Sequence, residues 1–181
     1  FGNPGKAFMA RRLTLPLLFA VAALSPAAVA ETVTASQLRG ELVKYGAEAV
    51  EISYEDSHPM LTGDMLGQPF DVTLSDCDGP QPACRSIRYV SCREMADFSR
   101  IEALEIANTH NAGFKDATAF AEEKWFGQVI CLRLQQDFRG ETQFGLRQVF
   151  EWQIELEDFL QEMDDARAAK QAAISLDNSA D

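Results

Sequence analysis

The sequence has few of the residues on which catalysis and metal binding most often depend. It has two histidines among 181 residues, His58 and His110. Neither lies at metal-ligand spacing from a cysteine, and no Cys-x-x-Cys occurs. It also lacks a Gly-x-Ser-x-Gly turn, a Gly-rich phosphate cradle and a calcium-loop pattern. We therefore expect a protein that is not an enzyme and that needs no cofactor and no metal.

Basic residues are also scarce. The chain has 16 Lys and Arg against 28 Asp and Glu, a formal net charge of −12. Residues 1–30 hold three of the basic residues and none of the acidic ones, so residues 31–181 carry 13 basic and 28 acidic side chains, or −15. A surface of this sign repels phosphate groups. Nucleic acid and anionic lipid are therefore excluded as expected partners.

The apolar run near the N-terminus is too short for a comfortable membrane span. It covers residues 13–24, whereas a span needs about 20 apolar residues. Arg11 and Arg12 precede it, and Ala28-Val29-Ala30 follows it as a small-residue cleavage signal. This pattern predicts an upstream remnant and signal peptide over residues 1–30, cleaved after Ala30, and a periplasmic or secreted protein without stable membrane insertion. A membrane anchor is the alternative.

The four cysteines all follow the predicted signal peptide: Cys77, Cys84, Cys92 and Cys131. An even number of cysteines in an oxidising compartment favours two disulfides, with a zinc site as the alternative. Four cysteines allow three pairings. The choice among them depends on which strands are neighbours.

Alternating apolar residues predict several strands, in two groups. The first group is "AVEISYED", "HPMLTGDMLGQPFDVTLSDC" and "CRSIRYVSC", and the second is "ATAFAEEKWFGQVICLRLQQDF" with a turn near residues 124–127. The Gly/Pro loop between Cys77 and Cys84 makes the strands on either side of it an antiparallel hairpin. We therefore predict a Cys77–Cys84 disulfide at the hairpin end, and a Cys92–Cys131 disulfide between neighbouring strands.

Helices are predicted before, between and after the strand groups. Thr34 and Gln37 form a capping box at the start of the first helix. The middle helix carries Ile101, Leu104 and Ile106 at helical spacing, with Ala107 beside them. This order of elements predicts an α+β fold, with an antiparallel sheet packed against helices.

The last predicted helix has the longest apolar stripe, and this stripe ends at Met163. We expect one domain over residues 31–163 and an acidic, disordered tail over residues 164–181. On such a stripe a tryptophan is more typical of a core than of a ligand platform. The stripe comprises Val149, Trp152, Leu156, Phe159, Leu160 and Met163.

Several of these stretches resemble the YbjN family of bacterial sensory-transduction regulators. The resemblance covers residues 34–163 and lies in "IEALEIANTHNAGF", "FGQVICLRLQQDFRG" and the spacing of Trp152 and Phe159. The family shows an Asn-x-Trp-Asn segment at the end of its middle helix. Here Asn108 and Asn111 match that segment, and His110 stands in place of its tryptophan. The stretch "LTGDMLGQPFDVTLSDC" is similar to the exported branch, which has a paired cysteine in this hairpin.

The resemblance implies a fold similar to that of type III secretion chaperones, a regulatory role and no known enzymatic activity. It makes Asn108, His110, Asn111 and Trp152 the candidate binding or motif residues. We therefore expect a non-enzymatic binding or regulatory protein of the bacterial envelope that recognises another polypeptide on an exposed sheet face or in a helix groove. A small-ligand carrier and an uncharacterised envelope enzyme are the alternatives, and the oligomeric state stays open.

Overall fold

The structure, a computed structural model, describes residues 32–56, 58–79, 82–113, 115–138 and 144–177. The predicted signal peptide lies outside the described residues. The elements in chain order are β1 (Val33–Thr34), α1 (Ala35–Lys44), β2 (Glu48–Glu55), β3 (His58–Met65), β4 (Gln68–Asp78), β5 (Ala83–Glu94), α2 (Arg100–Ala112), β6 (Thr118–Lys124), β7 (Gly127–Asp137) and α3 (Leu146–Asp177).

The strands form one antiparallel sheet in the order β2-β3-β4-β5-β7-β6, and the short β1 pairs with the beginning of β5. The first four strands on this path are consecutive in the chain, because each joins the next by a short turn. The later hairpin of β6 and β7 then adds to the free side of β5. The predicted α+β class is therefore confirmed.

The core lies between the helices and one face of this sheet. Trp152 of α3 stacks on Tyr89 of β5, with ring centroids 5.2 Å apart, and meets the edge of Phe70 of β4 at 6.4 Å. All three side chains are at most 2% exposed. The predicted core position of Trp152 is confirmed. Burial of Tyr89 raises the pKa of its hydroxyl.

Helix α1 begins where its sequence predicts. The Thr34 hydroxyl accepts a hydrogen bond from the Gln37 backbone N–H, and the Gln37 side chain accepts one from the Thr34 backbone N–H. These two bonds satisfy donors that a helix N-terminus otherwise leaves unpaired. Leu38 and Leu42 then enter the core with no exposed surface.

Helix α2 buries only part of the apolar set that its sequence places at helical spacing. Ile101 is 69% exposed and Leu104 is 41% exposed, whereas Ala103, Ala107 and His110 are buried. The two alanines are small, so this face allows the helix to lie close to the sheet. Of the apolar set at helical spacing, Ala107 is therefore buried and Ile106 packs half-buried against the core, whereas Ile101 and Leu104 lie at the surface.

Helix α3 continues beyond the predicted end of the domain. It runs to Asp177, although none of its described residues after Met163 is buried. The predicted disordered tail is thus wrong for residues 164–177. Residues 178–181 lie outside the described residues.

Candidate binding surface

His110, a candidate residue from the sequence resemblance, is fully buried between α2 and α3. Its Nδ1 lies 2.8 Å from the Glu162 Oε2, and its ring meets Phe159 edge-on at 5.9 Å. Its Nε2 is buried without a hydrogen-bond partner among the residues the structure describes. His110 therefore packs the two helices together, and its ring is not available to a partner at the surface.

Asn111 connects the end of α2 to the edge strand β6. Its Nδ2 donates to the Ala119 carbonyl oxygen at 2.9 Å, and its Oδ1 accepts from the Ala119 backbone N–H at 2.8 Å. The Asn111 side chain thus makes the two hydrogen bonds that a residue of an additional strand beside β6 would make. Asn108 points to solvent, and Trp152 lies in the core. The four candidate residues from the sequence therefore do not form one site.

The two predicted disulfides are present. Cys77 pairs with Cys84 and Cys92 pairs with Cys131, and each pair joins directly opposite residues of neighbouring strands. Cys77 and Cys84 pack against the core, whereas Cys92 is exposed on the sheet face that the helices leave uncovered. The disulfides therefore fix the central strands β4, β5 and β7 to one another.

Neither edge of the sheet offers an open template for another strand. At one edge, β2 carries exposed Glu48, Glu51 and Glu55, and the Arg39 Nε donates to the Val50 carbonyl oxygen at 2.9 Å. At the other edge, Asn111 occupies the Ala119 backbone groups of β6. Charged side chains and capped backbone groups are the usual means by which sheet edges avoid pairing with other chains. Binding by strand addition is therefore disfavoured.

Among the residues the structure describes, the most exposed large apolar side chain is at the tip of the β6–β7 hairpin. Trp125 is 95% exposed and Phe126 is 39% exposed, and their rings meet edge-on at 5.3 Å. We call these two residues the aromatic tip. Tight turns favour Gly, Asn, Asp, Ser and Pro, so two adjacent aromatic residues there have no role in forming the turn itself.

The aromatic tip is held against the segment that leads into α2. A Cβ at Gly127 would lie 3.0 Å from the Ala96 Cα, and the Met95 backbone N–H donates to the Gln128 carbonyl oxygen at 2.8 Å. Leu104 of α2 lines a small cavity of about 170 Å³ together with residues of β6 and β7. The exposed Leu104 therefore lies on the side of α2 that faces this hairpin.

The sequence reading placed a turn at residues 124–127 and did not identify Trp125 or Phe126 as site residues. Their signal was present, since aromatic residues in a predicted turn cannot reach the core from there. A second aromatic pair lies near the start of α3, where the half-buried Tyr45 and the exposed Phe150 have ring centroids 6.0 Å apart. Those two rings shield each other, and Phe150 is 47% exposed, about half the value of Trp125.

The opposite flank of α2 forms an open groove of about 480 Å³ with α3. The Lys170 Nζ lies 2.9 Å from both carboxylate oxygens of Glu102 and 4.5 Å from the centroid of the Phe98 ring. The hydrogen bond from Lys170, together with those from the Ser99 backbone and hydroxyl, lowers the pKa of Glu102 to about 2. The ammonium of Lys170 therefore lies inside this groove, in contact with an aromatic ring and a carboxylate.

Two further findings concern the described part of the chain. Within it, no three His, Cys, Asp or Glu side chains are grouped so that they could hold a metal ion. None of the described helices has the length and apolar character needed to cross a membrane.

Comparison with known proteins gives limited information. No family model matches the sequence, and no curated protein matches it. The crystal structure of YbjN, a candidate transcription regulator from E. coli, aligns over 80% of this chain and 96% of its own, with a TM-score of 0.46 and 12% sequence identity. This level of similarity does not assign the chain to the YbjN family, so the resemblance read from the sequence stays a prediction.

Proposed function

We propose that this protein is a non-catalytic, exported binding protein that recognises another polypeptide through the aromatic tip and the neighbouring exposed face of α2. One observation carries the proposal: Trp125 is 95% exposed at the end of a well-paired hairpin. Tryptophan is enriched among the residues that contribute most binding energy at protein interfaces, because burying its ring removes a large apolar area from water.

The setting of the tip supports this role. Its backbone is fixed by the β6–β7 ladder and by the close approach of Gly127 to Ala96, so little conformational entropy is lost when a partner binds. Leu104 lies on the β6 side of α2 and is 41% exposed, and Ile101, its neighbour on the helix surface, is 69% exposed. A partner that covers the tip and these two side chains would bury apolar area at both places.

The two disulfides support an oxidising compartment, which agrees with the signal peptide expected from the sequence. A regulatory role of the YbjN type belongs to the same proposal. It rests on the resemblance of residues 34–163, not on the alignment with the solved structure.

Site-specific photo-cross-linking in cells that express the full chain tests the proposal. A benzoyl-phenylalanine at position 125 should cross-link to a discrete polypeptide, because the aromatic tip would lie inside the interface. The matched control is position 54, since Tyr54 is 63% exposed on β2 at the opposite edge of the sheet. Cross-linking that is equal at the two positions, or missing at position 125, would overturn the proposal.

A further inference from the structure

The groove between α2 and α3 carries a second inference, which rests on the proposed function and adds the chemistry of the partner. We infer that the groove binds a basic, apolar segment of the partner polypeptide. Its apolar lining includes Phe98, Ile106 and Ala173. Its volume of about 480 Å³ lies within the usual range of about 300–1,000 Å³ for ligand pockets.

The charge of the groove determines the sign of its occupant. Four carboxylates line it against one ammonium, that of Lys170, which leaves a formal charge of −3. Glu102 is neutralised by Lys170, and Glu162 contacts the buried His110. For Glu105 the described residues provide no ion-pair partner, and Asp165 accepts a hydrogen bond only from the neutral Gln161 side chain on its own helix.

The surroundings of the Lys170 ammonium show that this lining accommodates an organic cation. Its ammonium lies over an aromatic face and against a carboxylate, the combination that stabilises organic cations. Glu105 and Asp165 provide two further carboxylates along the same groove. At these carboxylates a Lys or Arg side chain of a partner would meet a negative charge, as Lys170 does at Glu102.

The shape of the groove favours a polypeptide over a small amine. Glu105, Thr109, Asp165 and Ala173 are all exposed, so a small molecule in the groove would stay largely in water. Ligand sites for small molecules usually bury 70% or more of the ligand. A second copy of this chain is also disfavoured, because its net charge of −12 repels an acidic groove.

The groove and the aromatic tip lie on opposite flanks of α2. Glu102, Glu105 and Thr109 line the groove, whereas Leu104 faces the β6 side. Ile101 lies between the two flanks by its helical spacing and is 69% exposed. A single partner that crosses α2 could therefore contact the tip with apolar residues and the groove with a basic segment. The lining from Glu162 to Ala173 spans about 16 Å of α3, enough for roughly three turns of a bound helix.

The test measures the binding of a fluorescent peptide to the purified full chain by anisotropy. The probe is a peptide of about 14 residues, two repeats of Lys-Leu-Leu-Lys-Leu-Leu-Lys, and its counterpart has Glu in place of every Lys. We expect the basic peptide to bind and the acidic one not to bind. Glu105→Lys combined with Asp165→Lys should weaken binding at least about tenfold, and Ala173→Trp, which fills the groove without a change in charge, should weaken it several-fold.

The matched control is Glu51→Lys combined with Glu55→Lys, the same change in net charge on the exposed edge strand β2. It should leave the affinity within about twofold of the wild-type value. Equal weakening by the two double variants, or no binding of the basic peptide to the wild-type chain, would overturn the inference. If only the inference about the groove fails, the position-125 cross-link persists. If the proposed function fails, the cross-link is lost, whether or not the basic peptide binds.

Discussion

The two halves of α3 have the same backbone conformation and opposite surroundings. The half that ends at Met163 carries the residues that fill the centre of the core. The half from Asp164 to Asp177 carries no buried residue. The buried residues of the first half include five with no exposed surface: Val149, Trp152, Leu156, Phe159 and Met163.

The second half is held by polar contacts and by its composition. Arg93 pairs with Asp164 at 2.6 Å, Arg167 donates to the Glu94 carbonyl oxygen, and Lys170 pairs with Glu102. Five of its first ten residues are alanine, the residue with the highest helix propensity. The end of an apolar stripe therefore indicates where a helix leaves the core. It does not indicate where the helix ends. The second half is also one wall of the groove, so it presents a surface that the first half anchors.

The largest expected effect is in the first half. Trp152→Ala should lower the free energy of unfolding by about 3–5 kcal/mol, because it leaves a cavity against Tyr89 and Phe70. Trp125→Ala is the matched control, and its effect should stay within about 0.5 kcal/mol because the ring is exposed. Chemical denaturation of both variants checks the prediction. Similar losses for the two variants would remove the distinction between core and tip.

The next effect falls at the boundary between the halves. Glu162→Ala should cost about 1–3 kcal/mol, because it leaves both ring nitrogens of the fully buried His110 without a partner. Glu157→Ala, an exposed position on the same helix, is the control for the change in helix propensity. Urea unfolding of the two variants compares them. If Glu162→Ala costs no more than Glu157→Ala, the contact with His110 contributes nothing to stability.

Much of the fold could be predicted from the sequence because strands and capping boxes are local patterns. Alternation identified the faces of β4 and β5, with Phe70 and Tyr89 towards the core. The cysteine pairing followed from hairpin geometry, since Cys77 and Cys84 end two strands that a short loop connects. In each case the information lies within a few residues of the element it describes.

The exposure of Ile101 and Leu104 on α2 could not be predicted in this way. Hydrophobicity favours these two residues over Ala103, but the distance between α2 and the sheet decides which side chains fit. His110 is buried where α3 packs against α2, and its ring contacts Glu162, 52 residues later. A contact between distant residues leaves no signal in local periodicity. For this reason the candidate site residues predicted from the sequence lie apart in the structure.

The third effect is local. Ala169→Gly, at an exposed position of the second half, should speed amide hydrogen exchange over residues 164–177 several-fold and change the global unfolding midpoint little. Glu157→Gly introduces a glycine in the first half. It should lower the global free energy of unfolding by about 1 kcal/mol, and the unfolding midpoint with it. Hydrogen exchange with mass spectrometry separates the two outcomes. A global loss from Ala169→Gly equal to that from Glu157→Gly would show that the halves unfold as one unit.

The smallest effect is the pH dependence of the contact between the second half and α2. Lys170, with the Ser99 backbone and hydroxyl, lowers the pKa of Glu102 to about 2 from an ordinary value of 4.5. A carboxyl with a lowered pKa in the folded state stabilises that state fully above the ordinary value, and this contribution is lost as the pH falls towards about 2. Exchange over residues 164–177 should therefore show a steeper acid-induced loss of protection in the wild-type chain than in Glu102→Gln, after correction for the intrinsic exchange rate. The first half should show no such difference between the two proteins, because the ion pair of Glu102 is with Lys170 in the second half. Identical pH profiles in the two proteins would mean that the ion pair does not hold the second half on α2, and the outer wall of the groove would then depend on the contacts of Arg93 and Arg167 and on helix propensity.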